Sequence, residues 1–230
     1  MEAIVLAGGL GTRLRSVVTD VPKPMAPVSG KPFLYYLLHW LEKNGINRVI
    51  LSVGYKWETI FNEFGDSFNS IDLVYSVEDS PLGTGGAIAF AMKKLEGETF
   101  FMINGDTLFN VDLGQLADFH KRGNHDLSII LKQVNNFDRY GTVEIDESSQ
   151  ITRFKEKAPC RKGLINGGIY IANKSIGNYF PDSEKFSFEQ DFLEKNIGKL
   201  IFGGLSSNDY FIDIGIPEDY HKAQTELPLL

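Results

Sequence analysis

Ala3-Ile4-Val5-Leu6-Ala7-Gly8-Gly9-Leu10-Gly11-Thr12-Arg13-Leu14, followed by Pro22-Lys23-Pro24-Met25, is the stretch from which the rest of the chain can be read. An apolar run of β character, Glu2–Ala7, empties into a glycine turn that ends on an arginine. Glycines lack a Cβ, so backbone N–H groups at such a turn can close around an anion, and Arg13 and Lys23 add positive charge. The stretch reads as a triphosphate site built onto a first strand. Two better-known phosphate motifs are excluded. A P-loop ends in Gly-Lys-Ser/Thr, but Gly30-Lys31 runs into Pro32 and Gly198-Lys199 into Leu200. The dinucleotide fingerprint needs a third glycine where this chain has Leu14.

Composition narrows the class. The chain has 230 residues and a net charge of -7, enough for one domain with a sizeable core. No basic stripe appears, which argues against nucleic acid as a partner, so positive charge for a phosphate ligand must be local. The single cysteine, Cys160, reads as an incidental loop residue and points to a reducing compartment. The apolar stretch before Gly8 is too short for a signal peptide, and no apolar run is long enough to span a bilayer. The expectation is a cytoplasmic protein without a membrane partner.

Strand-like and helix-like patterns alternate through the first half. Glu2–Ala7 is followed by a helix over Pro32–Asn44, a strand over Arg48–Val53 and a short helix over Trp57–Phe64. A strand over Leu73–Val77, a helix over Ala87–Leu95 and a strand over Thr99–Ile103 complete that half. Such alternation predicts an α/β fold with a mostly parallel sheet and helices on both faces. From Leu127 strands dominate: Leu127–Val134, Gly141–Ile145, Ile151–Lys155 and Gly167–Ile171. The chain reads as one domain over 1–230, with a nucleotide-binding half over about 1–126 and a second, β-rich half over about 127–230. Ligands of open parallel sheets bind at the carboxyl ends of strands. Four elements fall there: the glycine turn, Gly54-Tyr55, Pro81-Leu82-Gly83-Thr84-Gly85-Gly86, and Asp106 within Asn104-Gly105-Asp106-Thr107. Asp106 suits a hard cation such as Mg2+, which takes carboxylate, phosphate and water oxygens. Asp213, in Phe211-Ile212-Asp213-Ile214-Gly215, repeats the pattern of an apolar strand carrying an aspartate into a glycine. The four histidines, His39, His120, His125 and His221, have no ligand-like spacing and read as surface or partly packed.

With Arg13 and the Pro-Lys-Pro continuation in view, the chain resembles the sugar-nucleotide pyrophosphorylases, whose signature is GGxGTRL followed by PKPM. These nucleotidyltransferases join a nucleotide to a sugar 1-phosphate. The resemblance implies the Rossmann-like three-layer α/β/α nucleotide-diphospho-sugar transferase fold with a β-rich sugar-binding lobe. It also implies Mg2+ as cofactor, held by Asp106 and Asp213. Catalytic roles fall to Arg13, Lys23 and Asp106. Nucleotide contacts fall to Leu6, Ala7, Gly8, Gly9, Gly11, Thr12, Arg13, Pro81, Gly83, Thr84 and Gly105. On the sugar side the resemblance points to Glu156 and Lys157 in Phe154-Lys155-Glu156-Lys157, and to Tyr140 and Gly141 in Arg139-Tyr140-Gly141-Thr142. It adds Asn166 and Gly167 in Ile165-Asn166-Gly167-Gly168. A carboxylate and an amide can discriminate hydroxyl orientation where apolar walls cannot.

The segment Glu78-Asp79-Ser80-Pro81-Leu82-Gly83-Thr84-Gly85-Gly86 looks like the loop of guanylyl-type members, which favours GTP as the nucleoside triphosphate. PLGTGGAI, NGDT, FDRYGTV, GLINGGIY, KFSFEQDF and YFIDIGIPEDY extend a similarity to guanylyltransferases of D-glycero-α-D-manno-heptose 1-phosphate over nearly the whole chain. Those enzymes make a GDP-sugar used in bacterial surface polysaccharide. Two alternatives stay open: a pyrophosphorylase for mannose 1-phosphate or another sugar 1-phosphate with a different nucleotide, and a non-catalytic nucleotide-binding relative. A homo-oligomer is compatible with Trp40, Phe186 and Phe188, which suit either core or interface.

Overall fold

The computed structural model describes residues 1–9, 21–138, 140–155 and 158–230. Along β1 (Glu2–Leu6) successive side chains point to opposite faces, and Ala3, Ile4 and Val5 are all fully buried. The strand therefore lies inside a sheet covered on both sides. A single 3-10 turn at Lys23–Met25 and a small hairpin of β2 (Pro27–Val28) and β3 (Lys31–Pro32) lead into α1 (Phe33–Lys43). Leu34, Leu37, Leu38 and Leu41 form the buried stripe of α1, and Gly45, at positive φ, follows its end. The chain continues through β4 (Arg48–Val53), α2 (Trp57–Phe64), β5 (Ser67–Phe68), β6 (Ile71–Val77), α3 (Gly83–Met92) and β7 (Thr99–Asn104). Strands β7, β1, β4 and β6 lie side by side and parallel, so their C-terminal ends share one rim.

The second half supplies β8 (Thr107–Phe109), α4 (Leu113–Arg122), β9 (Leu127–Phe137), β10 (Thr142–Ile145), β11 (Ile151–Lys155) and β12 (Cys160–Asn173). A π-helical turn over Phe188–Leu193 runs into the single turn α5 (Glu194–Asn196), then β13 (Phe202–Ser207), β14 (Phe211–Asp213) and α6 (Pro217–Glu226). β12 pairs antiparallel with β7, so both halves share one sheet in the order β11-β10-β12-β7-β1-β4-β6-β5, with β9 beside β12 and β13 beside β9. Strands β8 and β14 make a separate antiparallel ribbon. One face of the sheet packs Ala3, Val5, Val49 and Leu51 against α1, α2, α4 and α6. The other packs Ile4, Ile50, Phe100 and Met102 against α3 and the Phe188–Leu193 turn. The chain thus has the expected α/β architecture, parallel in the first half and largely antiparallel in the second.

Three local expectations need correction. Cys160 is not a loop residue: it opens β12 opposite Phe137. Strand β12 is far longer than the expected Gly167–Ile171, because a bulge between Asn166 and Tyr170 lets the chain pass the two glycines without leaving the sheet. Helix α3 starts at Gly83 rather than Ala87, because the Phe186 carbonyl accepts from Gly85 N–H at 3.0 Å and holds the glycine-rich first turn. Helix α4, absent from the sequence reading, has a signal in Asp112, whose carboxylate accepts from Gly114 N–H at 2.8 Å and Gln115 N–H at 3.3 Å.

His120 and His125 are buried rather than surface residues. Asn173 Nδ2 donates to the His125 carbonyl (3.0 Å), leaving Asn173 Oδ1 to accept from His120 Nε2 (3.3 Å). His120 Nδ1 then accepts from Ser128 Oγ (3.0 Å), and Ser128 Oγ accepts in turn from His125 Nδ1 (3.0 Å). The neutral pair therefore has a fixed direction of donation, and an added proton on His120 Nδ1 breaks it. Burial lowers the pKa of both imidazoles below the ordinary 6.5, against the opposing pull of Asp126. Because the folded values lie below the unfolded ones, this stability is fully present above pH 6.5 and is lost as pH falls below it. The urea midpoint is expected to drop between about pH 7 and about pH 5, before most carboxylates titrate. A midpoint constant across that window would show that the pair adds nothing to folding.

Candidate active site

The shared rim of β7, β1, β4 and β6 opens into a cavity of about 800 Å³. Leu6, Gly8 and Gly9 line it from β1 and its following turn, Ser52, Gly54 and Tyr55 from the end of β4 and beyond. Glu78, Asp79, Ser80, Pro81, Gly83 and Thr84 come from the β6–α3 connection, and Asn104 and Asp106 from the end of β7 and the turn after it. All four elements expected at strand ends therefore converge on one space. Lys23, Pro24, Ala87 and Glu189 complete the lining. Ala7 is buried beneath the turn and donates its N–H to Ser52 O at 2.8 Å. Gly105 sits behind the cavity wall, where its N–H donates to Leu6 O at 3.0 Å; a Cβ there would lie 2.5 Å from that oxygen. Only glycine allows β1 and β7 to close at this point. Gly11, Thr12 and Arg13 lie outside the described residues.

The two aspartates meet because β14 returns along β8. Asp213 is paired opposite Thr107, next to Asp106, and Ile214 N–H donates to the Asp106 carbonyl at 3.0 Å. Lys23 Nζ contacts Asp106 Oδ2 and lies 3.6 Å from Asp213 Oδ1. Gly215 N–H donates to Asp213 Oδ1 at 2.7 Å, and Thr107 Oγ1 to Asp106 Oδ1 at 3.2 Å. Two carboxylates thus face one ammonium ion, so the site already holds a cation between oxygen donors. That donor set fits a hard divalent ion completed by ligand oxygens and water.

Of the residues expected to meet sugar, Asn166 and Gly167 lie at the β12 bulge. A Cβ on Gly168, at φ +74°, would lie 2.8 Å from Asn104 Nδ2, and one on Gly167 would lie 2.7 Å from the Phe109 ring. Tyr140 has its ring 6.2 Å from that of Phe137, and Gly141 precedes Thr142, which pairs with Ile165. None of these four residues is among those lining the cavity. Glu156 and Lys157 lie outside the described residues.

The nucleotidyl transferase family model matches residues 2–228. The chain belongs to the nucleotidyl transferase family. Its chemistry is nucleotidyl transfer, as its opening motif implied. It is 55% identical over 227 residues to the D-glycero-alpha-D-manno-heptose 1-phosphate guanylyltransferase of Aneurinibacillus thermoaerophilus, covering 99% of this chain and 98% of that one. It is 36% identical to the mannose-1-phosphate guanylyltransferase of Mycobacterium tuberculosis, covering 99% of this chain and 64% of that longer one. The crystal structure of HddC from Yersinia pseudotuberculosis complexed with GMP-PN matches with a TM-score of 0.85 and 43% identity, covering 97% of each chain.

Sequence reasoning about this nucleotidyl transferase missed Glu78, Asp79 and Glu189 as lining residues. Glu78 opens the loop that carries Pro81 and Gly83, and it is held by Leu82 N–H at 3.0 Å and Ser52 Oγ at 3.3 Å. Glu189 had no local signal, because it reaches the cavity from the π-helical turn through tertiary packing. Its carboxylate accepts from Thr84 Oγ1 at 2.8 Å, and Thr84 Oγ1 accepts from Phe188 N–H at 2.9 Å. The glycines of the Pro81–Gly86 stretch serve this same junction. A Cβ on Gly83 would lie 2.6 Å from Phe186 O, and one on Gly86 would lie 2.2 Å from Glu184 O. Gly86→Ala is therefore expected to cost about 1–3 kcal/mol in urea unfolding, through forced separation of α3 from Glu184. Unchanged stability would show that this contact is not tight in solution.

Proposed function

We propose that the protein transfers GMP from GTP to D-glycero-α-D-manno-heptose 1-phosphate, forming a GDP-sugar and releasing pyrophosphate. The observation that carries this reading is the 55% identity, end to end, to an enzyme named for that acceptor, combined with a nucleotide-sized cavity at the rim. The mannose-1-phosphate reading has weaker support, from 36% identity to a chain of which this one spans 64%.

A phosphate oxygen of the sugar 1-phosphate attacks the α-phosphorus of the nucleotide. A P–O bond forms to that oxygen, the bond to the β-phosphate bridge breaks, and the electron pair leaves with pyrophosphate. No protein nucleophile is needed, so the chain's task is alignment and neutralisation of crowded negative charge. Gly9, just beyond the end of β1, leaves open backbone for close approach of phosphate. Lys23 would set its ammonium between attacking and attacked phosphates, and Arg13, by its place in the motif, would hold the departing pyrophosphate. Asp106 and Asp213 would hold Mg2+. When bound, that ion neutralises α-phosphate oxygens. Tyr140, Gly141, Glu156, Lys157, Asn166 and Gly167 would receive the sugar.

Pyrophosphate release is the test, with GTP, ATP, CTP, UTP and dTTP each offered with the heptose 1-phosphate or mannose 1-phosphate. Turnover is expected for GTP with the heptose phosphate, and faster turnover with another pair would overturn the substrate assignment. Lys23→Ala and Asp106→Ala are each expected to lower kcat on the order of 10²–10³, the scale of a lost transition-state charge, with far-UV circular dichroism unchanged. Wild-type turnover in either variant would remove that residue from the mechanism.

A further inference from the structure

The amide of Asn166 is not free to rotate. Its Oδ1 accepts from the Gly168 N–H at 3.0 Å across the β12 bulge, and its Nδ2 donates to the Tyr170 hydroxyl oxygen at 2.6 Å. An amide nitrogen carries two protons, so one N–H of Asn166 remains for a ligand, while its carbonyl already accepts one bond from the backbone. Tyr170 is itself fixed: it is 2% exposed, and its ring packs edge-on against Phe188 at 5.6 Å. Burial, with a smaller push from the Glu189 carboxylate, raises the hydroxyl's pKa far above its usual value, so it stays protonated. Its oxygen accepts from Asn166. Glu189 lines the nucleotide cavity and is held there by Thr84 Oγ1 at 2.8 Å and Ser187 Oγ at 3.1 Å.

We propose that Tyr170 is a positioning residue for the sugar side of the site, fixing Asn166 as a hydrogen-bond donor that engages a hydroxyl oxygen of the sugar 1-phosphate. This rests on the proposed reading that Asn166 contacts the sugar. A tyrosine that only filled the core would need its ring and not its oxygen.

Steady-state kinetics of Tyr170→Phe, Asn166→Ala and the double variant test this, with KM read separately for sugar 1-phosphate and GTP. Tyr170→Phe is expected to raise the sugar 1-phosphate KM roughly 5- to 50-fold, the scale of one hydrogen bond, and to leave the GTP KM unchanged. The double variant is expected to be no worse than Asn166→Ala alone, because the hydroxyl acts only through that amide. An unchanged sugar KM in Asn166→Ala would overturn the reading of Asn166 as a sugar contact. A raised KM there with an unchanged KM in Tyr170→Phe, or with additive losses in the double variant, would overturn the positioning role alone. Asn166→Asp offers a carboxylate where a donor is required, and wild-type sugar KM in that variant would overturn the donor assignment even if Tyr170→Phe failed to fold.

Discussion

Two carboxylates facing one ammonium ion set the terms for the rest of this structure. Asp106 and Asp213 come from distant parts of the chain, and like charges brought together are unstable without a cation between them. The pairing of Asp213 opposite Thr107 forces them together, and Lys23 supplies the positive charge. Each of these three segments is tied to the others away from the charges. Tyr220 on α6 donates its hydroxyl proton to the Pro27 carbonyl, and Gln224 Nε2 donates to the same oxygen at 2.9 Å. Ser29 N–H in turn donates to Gln224 Oε1 at 2.9 Å. Helix α6 follows directly on β14, and the β2–β3 hairpin follows directly on the turn that carries Lys23. The contacts between α6 and the hairpin thus anchor both sides of the charged cluster.

Backbone proximity is the second constraint. Gly105 lets β7 close on β1, Gly83, Gly85 and Gly86 let α3 dock on the 184–186 segment, and Gly168 lets β12 lie against Asn104. Glycine-rich motifs at strand ends invite a reading as phosphate cradles, yet most of these glycines are required by neighbouring protein atoms. Gly9 differs: a Cβ there would meet nothing within 4 Å. It faces the cavity, as a residue presenting open backbone to a ligand should.

The parallel half of the fold was legible because its information is local. Apolar strands, amphipathic α1 and its glycine stop at Gly45 announce themselves within short windows, and the strand-end rule then places Gly54, Pro81 and Asp106 on one rim. Lys23 stands out in its motif, but its ion pair with Asp106 does not follow from that motif, because the two segments meet only through tertiary packing. The second half was harder, because its information lies between segments. The length of β12 depends on a bulge that only its neighbours β7 and β9 define, and the burial of His120 and His125 depends on Ser128 and Asn173. Glu189 reaches the cavity only because Phe188 and Phe192 fill the core beside α3. Nothing in Phe188-Glu189-Gln190 alone points there.

An acidic cavity that receives a triphosphate must keep its charges apart, and the residue positions describe how. Glu78, Asp79 and Glu189 lie on or beside the β6–α3 connection, whereas Lys23 and Asp106 lie toward β7 and the charged cluster. Glu78 and Glu189 are held in place as acceptors by Leu82 N–H and Ser52 Oγ, and by Thr84 Oγ1 and Ser187 Oγ. A polyphosphate laid against that wall would meet uncompensated repulsion, because no lysine or arginine lies among the described residues lining it. Under the proposed reading the phosphates therefore run toward Lys23 and the aspartates, and the base and ribose, which carry N–H and O–H donors, take the carboxylate wall. Under that reading the donor-poor wall would orient the nucleotide by excluding its charged end, leaving the α-phosphorus on the side of the charged cluster.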